Sequence, residues 1–209
     1  MPSSTVRLFI GIDLSDKIKK QISDKIDHIK AKYKTLKWIE PKNYHITLIF
    51  LGEINQKKIA SIEQRLQKAV FDTTEFNLIS FKLGVFPNKK RIIYLSFFNE
   101  QKINQLAKKL KQEFQDYLKQ LPENKFVPHI TLAKGKRSSK QQYYQLIKLL
   151  DQTKIKIEIP VDKVCIFTSQ LTAHRSIYHQ LFEIQLHKDP KIKKSKLNQK
   201  DEKRHDYGF

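Results

Sequence analysis

A single cysteine in 209 residues, Cys165, leaves no partner for an intramolecular disulfide and too few thiolates for a cysteine-rich zinc or iron–sulfur site. Long apolar runs are missing as well. Ile46–Leu51, interrupted by Thr47, is strand-sized and far short of the roughly 20 residues that cross a bilayer as a helix. The stretch Met1-Pro2-Ser3-Ser4-Thr5-Val6-Arg7 carries no apolar signal region, so the expected location is cytoplasmic, with no membrane partner. Acidic residues are scarce: 21 Asp and Glu stand against 41 Lys and Arg, for a formal net charge of +20. The last 22 residues account for only +4, which leaves +16 on residues 1–187. Such an excess calls for a polyanionic partner: nucleic acid, a phosphate-bearing substrate or an anionic surface. Charge alone does not choose among them.

What is present can fold without staples. Hydrophobic residues at 39% and aromatics at 11% are enough for a core. A chain of this length buries about 70% of its unfolded surface, as one domain or two intimately packed lobes. The pattern reads as a strand at Val6–Asp13, then a helix opened by Ser15-Asp16 with Ile18, Ile22, Ile26 and Ile29 at helical spacing. Tyr44–Leu51 is a strand stopping at Gly52-Glu53. Asn55 caps a second helix striped by Ile59, Ile62, Leu66 and Ala69 or Val70. Phe76–Val85 and Ile92–Phe98 are strands about the turn at Pro87–Lys90. One helix spans Gln101–Gln120, with Ile103, Leu106, Leu110, Phe114 and Leu118 on one face. Val127–Ala133 is a strand and Lys140–Leu150 a helix. Ile155, Ile157 and Ile159 alternate as a half-buried strand, and Val161–Phe167 with Ile177–Leu186 form a closing antiparallel pair. Strands and helices mixed in this order define an α+β fold with helices outside the sheet. The organisation expected is one domain over residues 1–187 and a basic, flexible tail over 188–209.

One tetrapeptide occurs twice. His45-Ile46-Thr47-Leu48 and His129-Ile130-Thr131-Leu132 are identical, and each falls in an expected strand. Alternation along a strand sends His45 and Thr47 to one face and Ile46 and Leu48 to the other, and the same holds for the second copy. Two imidazoles and two hydroxyls facing each other suit phosphodiester hydrolysis. A neutral histidine takes a proton from water, a protonated one gives a proton to the leaving oxygen, and the threonines donate to non-bridging oxygens. The scheme uses no metal and no cofactor. No carboxylate or cysteine accompanies either histidine at ligand spacing.

At these residues the sequence resembles the two-histidine phosphoesterase superfamily and, more narrowly, the RNA 2′,3′-cyclic phosphodiesterases, also called 2′-5′ RNA ligases. The likeness runs over residues 6–186. It takes in Arg7-Leu8-Phe9-Ile10-Gly11-Ile12-Asp13, Trp38, Asn43-Tyr44 before the first motif, and Phe50-Leu51-Gly52-Glu53 after it. Phe86-Pro87, Arg91 to Leu95 and Phe126-Val127-Pro128 before the second motif follow in order. The resemblance implies two pseudo-symmetric lobes of antiparallel sheet with an active-site cleft between them, His45 as general acid and His129 as general base. It implies opening of the 2′,3′-cyclic phosphate end of RNA, such as tRNA fragments or oligonucleotides, to a 2′-phosphate; separately from the resemblance, a monomer is expected. Some relatives also run a slow 2′-5′ ligation. Lys134 stands where relatives commonly carry arginine, which keeps the charge but loses the bidentate fork. Ile49 stands where many carry lysine.

Arg91 and Lys134 are the further candidates for phosphate contact. Tyr44 is expected to pack away from His45, Cys165 to be a small buried residue, and Trp38, Phe86 and Tyr178 to belong to the core rather than to stack on a base. His28, His187 and His205 read as surface. His174 and His179 lack a repeated partner. Two other functions remain open on sequence alone: a non-catalytic RNA-binding module, and a phosphodiesterase for a small cyclic nucleotide.

Overall fold

A computed structural model describes residues 5–86, 92–118, 126–135, 140–171 and 176–189. Arg91, the turn at 87–90, His174, His205 and the chain from 190 onward lie outside the described residues. Strand β1 (Thr5–Asp13) leads into helix α1 (Asp16–Lys32), capped by Ser15, whose Oγ accepts from the Ile18 amide at 3.5 Å. Then come β2 (Lys37–Trp38), β3 (His45–Asn55), α2 (Ile59–Val70), β4 (Phe76–Phe86) and β5 (Ile92–Phe97). The chain continues with α3 (Gln101–Glu113), α4 (Gln115–Leu118), β6 (Ile130–Lys134) and α5 (Lys140–Gln152). It closes with β7 (Glu158–Val161), β8 (Lys163–Leu171) and β9 (Ser176–Gln185).

The strands pair antiparallel in the order β7-β4-β5-β6-β3-β1-β8-β9, with β2 added beside β6. This curled sheet has two matching halves, β3-β1-β8-β9 and β6-β5-β4-β7. They meet at the β3–β6 pairing, recorded at Ile46 opposite Ile130. Chain order is exchanged between the halves: β4 follows α2 yet pairs with β5 and β7, while β8 and β9 follow β7 and return to β1. The α+β class holds.

The two faces of the sheet differ. Leu8, Ile10 and Ile12 of β1, Ile46 and Leu48 of β3, and Ile130 and Leu132 of β6 join the helical stripes in one continuous core. Those stripes are Ile18, Ile22, Ile26 and Ile29 on α1, Ile62, Leu66 and Val70 on α2, and Ile103, Leu106 and Leu110 on α3. Each such side chain, fully buried, contributes about 1.5–3 kcal/mol, so the motif isoleucines are firm anchors for the residues beside them. The opposite face carries a small aromatic cluster, Phe9, Cys165 and Phe167, with Tyr178 against it. Across the back, Arg65 of α2 is held in a fork by Asp116, at 3.0 and 2.9 Å, and reaches Glu113 at 3.0 Å. Its guanidinium lies 4.8 Å from the Phe114 ring, so one side chain ties α2 to the turn between α3 and α4.

Several boundaries move from those expected. β3 does not stop at Gly52; that glycine takes a positive φ of 80° and the strand continues to Asn55. The helix expected over 101–120 breaks at Phe114, whose backbone leaves the helical region at φ −106° and ψ 20°. Ile155 and Ile157 precede β7 rather than lie in it. Their backbones still bond to β4, where the Ser80 amide donates to the Ile157 carbonyl and the Ile155 amide to that of Phe81. Val161 ends β7, and Asp162 separates it from β8. His129 stands just before β6 rather than within a strand, following Pro128, whose ring cannot donate to a ladder. No helix among the described residues is long and apolar enough to cross a membrane, which says nothing of β-barrels.

Candidate active site

The β3–β6 pair explains why a motif repeated 84 residues apart in the chain forms one constellation. Ile46 and Ile130 face each other in antiparallel sense, so the register turns His45 toward Thr131 and Thr47 toward His129, on the face away from the core. Both imidazoles are pinned in the same way. Nδ1 of His45 lies 2.8 Å from the Asn43 carbonyl oxygen, and Nδ1 of His129 lies 2.8 Å from that of Val127. A carbonyl oxygen only accepts, so Nδ1 carries the hydrogen in each ring and Nε2 is left for chemistry. In the neutral ring, His45 Nε2 accepts from the Thr47 hydroxyl at 3.0 Å. On the neighbouring strand, Gly11 pairs with Thr47, and a Cβ there would come within 2.6 Å of the Ile46 carbonyl oxygen. The backbones of β1 and β3 approach closely at the motif.

Aromatic rings frame both histidines. His45 sits 4.9 Å from Phe9 and 4.9 Å, edge-on, from Tyr178; His129 sits 5.0 Å from Phe86 and 5.7 Å from Tyr94. Tyr178 and Phe86 therefore belong to this face rather than to the main core. Trp38 packs on the core with its indole N–H donating to the Tyr33 carbonyl at 3.1 Å. Tyr44 is fully buried behind His45, and Cys165 is buried with its thiol pushed up to about 11 by desolvation. His28, His179 and His187 are exposed.

Strict alternation would turn Lys134 away from Thr131. A bulge prevents this: Ile93 pairs with Ala133 and Tyr94 with Thr131, so Leu132 is the extra residue and parity inverts beyond it. Lys134 then pairs with Ile92, itself paired with Phe86, on the face that carries His129. The first motif has the same irregularity. Ile10 pairs with Ile49 and Gly11 with Thr47, leaving Leu48 extra, and Phe50 joins the site face beside Phe9. Phe50 is 56% exposed there. Ile49 turns into the core instead, so an isoleucine suits its place. The sequence reading missed Phe9, Phe50 and Phe167; only the bulges, invisible to a period-2 count, put Phe50 on this face.

Burial is the main influence on both imidazoles and holds them below the ordinary histidine range, against the opposing pull of the Asn43 and Val127 carbonyls. His45 additionally feels Asp13, which favours its protonation, and His129 and Lys19, which oppose it. The sign for stability follows. A histidine titrating lower in the folded state stabilises fully above about pH 6.5, its unfolded value, and loses that contribution as pH falls through the folded value. The depressed carboxyls Asp72, Asp116 and Glu183 act lower, below about pH 4.5. Between pH 7.5 and 5.5 the Tm should therefore fall, and the His45→Asn/His129→Asn double variant should flatten that slope. Equal slopes in the two proteins, read by calorimetry, would refute the assignment.

A family model described as the 2′-5′ RNA ligase superfamily matches residues 16–172. A protein of Thermotoga maritima named RNA 2′,3′-cyclic phosphodiesterase is 32% identical over 182 residues, covering 86% of this chain and 95% of that one. One of the same name from Methanothermobacter thermautotrophicus is 29% identical over 177 residues, covering 83% and 95%. Among solved structures, E. coli LigT complexed with 3′-AMP aligns with a TM-score of 0.67 at 21% identity, over 88% of this chain and 99% of that one. That likeness shows a shared fold. The chain belongs to the 2′-5′ RNA ligase superfamily. It is a phosphodiesterase.

Proposed function

We propose that this phosphodiesterase hydrolyses the terminal 2′,3′-cyclic phosphate of RNA to a 2′-phosphate, using His129 as general base and His45 as general acid. The observation that carries this reading is the Ile46–Ile130 pairing, which sets two His-x-Thr pairs about one point with both Nδ1 atoms engaged. Nε2 of neutral His129 takes a proton from water as its oxygen bonds to phosphorus. The bond from phosphorus to O3′ breaks, its electron pair leaves on O3′, and the proton on Nε2 of His45 moves there. The products are a 3′-hydroxyl and a 2′-phosphate. If a ribose 5′-hydroxyl replaces water, the same transfers form a 2′-5′ linkage. Thr47 and Thr131 donate to the non-bridging oxygens, and Lys134, turned to this face by the bulge, adds positive charge beside them.

The names of the relatives, and the nucleotide bound to E. coli LigT, support this substrate class. So does the excess of 20 positive charges, which draws a polyanion from a distance. Arg91 stays a candidate contact on sequence grounds. An oligonucleotide ending in 2′,3′-cyclic phosphate, incubated with the protein in EDTA, should yield the 2′-phosphate with a bell-shaped pH profile. Loss of turnover in EDTA, or a 3′-phosphate product, would overturn the reading. A binding-only protein would hold RNA in a salt-sensitive way and release it unchanged.

A further inference from the structure

The two motifs are identical, yet the proposed chemistry needs one histidine protonated and the other not. Backbone anchoring does not separate them, because both rings are fixed by Nδ1 in the same manner. Their cross-strand neighbours do. Asp13, the last residue of β1, pairs in register with His45. In the other half, Tyr94 pairs with Thr131 and Leu95 with Ile130, so the antiparallel register brings Ser96 opposite His129. Ser96 is uncharged, and its hydroxyl donates to the Lys82 carbonyl at 2.9 Å. Directly opposed residues share a face at close range. One histidine therefore has a carboxylate for a neighbour, and the other a hydroxyl.

Asp13 is in turn held by Lys19, Nζ to Oδ1 at 2.8 Å, with the lysine side chain only 10% exposed. Two preferences argue against a lysine there. A cation near the start of a helix meets the positive end of the helix dipole, and a buried ammonium is costly unless paired. Its Asp13 partner offsets both.

We propose that the Asp13–Lys19 pair breaks the symmetry of the two motifs, Asp13 keeping a proton on His45 and Lys19 limiting how tightly it is held. This rests on the acid role assigned to His45 above. Asp13 and Lys19 are positioning residues, since they act through His45 and not on the substrate. The pattern of electrostatic influences supports the asymmetry: Asp13 favours and Lys19 opposes the charged form of His45, while His129 is moved by burial and the Val127 carbonyl. The other titratable groups about His45 are His129, just ahead of β6, the Tyr178 phenol from β9 and, next to Asp13, the Cys165 thiol of β8, which burial keeps protonated. None of these supplies a negative charge as Asp13 does.

The test has two arms. Histidine-labelled protein, free of substrate, is titrated by NMR. Asp13→Asn should move the His45 midpoint down, Lys19→Met should move it up, and both should leave His129 in place. In turnover of an oligonucleotide ending in 2′,3′-cyclic phosphate, Asp13→Asn should bring the basic limb of kcat/KM to lower pH. The loss should be about tenfold at pH 8, the factor for a one-unit displacement read well above the midpoint, and should shrink toward the acid side of the profile. A merely structural tie between β1 and α1 would lower Tm in both variants and leave the His45 midpoint unmoved, which overturns the proposal. Equal movement of both histidines overturns it too. Should Asp13→Asn fail to fold, the upward shift in Lys19→Met decides alone. If the midpoints move as expected but the wild type opens no cyclic phosphate, the charge pair stands and the proposed substrate falls.

Discussion

His129→Ala should lower kcat for ring opening by about 10²–10⁴, and His45→Ala by a similar factor, the ordinary worth of a positioned proton transfer. The double variant should be far less damaged than the product of the two, because the transfers serve one displacement and removing either leaves the other little to do. The pH profiles should differ in kind. His129→Ala should lose the acidic limb, which reports the base becoming neutral, and His45→Ala the basic limb, which reports the acid losing its proton. Both imidazoles are held below the ordinary histidine range by burial, so both limbs should lie toward acid pH in kcat/KM, a property of the free enzyme. A phosphodiester with an aryl leaving group separates the roles, since a phenolate departs without a proton. That probe should rescue His45→Ala and leave His129→Ala impaired. Rescue of the opposite variant would exchange the roles, and single variants turning over within threefold of wild type would remove both histidines from the chemistry.

Much of this site could be read from residues alone because its information is local. The repeated His-Ile-Thr-Leu carries its own geometry: the isoleucine and leucine of each copy are buried in the core, and the polar pair is turned away from it. The stripes of α1 and α2 were legible for the same reason. What stayed hidden depends on pairings between distant segments. Nothing near Phe50 or Lys134 announces the bulges at Leu48 and Leu132 that turn both to the site face. The break at Phe114 involves no glycine or proline, and the apolar stripe runs on across it, with Phe114 itself fully buried. The exchange of β4 into one half and of β8 and β9 into the other follows from closing a core shared by both halves, a choice that no single stretch encodes. The part played by Asp13 is not legible locally, because its meaning lies across the sheet at His45 and six residues on at Lys19.

Replacing both motif threonines by valine should cost kcat at least 10²–10³, the loss seen when a single donor to a developing oxyanion is removed, with KM changed severalfold at most. Valine keeps the branched shape a strand position favours and removes only the hydroxyl, so the fold should survive. The split between kcat and KM carries the argument. Hydroxyls that met the phosphate equally in ground and transition states would raise KM and leave kcat alone. The single variants should not be equal. With His45 neutral the Thr47 hydroxyl donates to His45 Nε2 at 3.0 Å, and a proton on that nitrogen reverses the bond, the ring N–H donating to the hydroxyl oxygen. Thr47 therefore meets the acid in either state and is free to give its own hydrogen to phosphate once His45 is charged. Thr47→Val removes a partner of the acid as well as a donor to the substrate, so its loss should exceed that of Thr131→Val and deepen on the basic side of the profile. Thr47→Ser, which keeps the hydroxyl, should recover most of the rate. Should Thr47→Val and Thr131→Val raise only KM, the threonines bind phosphate without stabilising its transition state, and the rate enhancement rests on the two histidines and the lysine beside them.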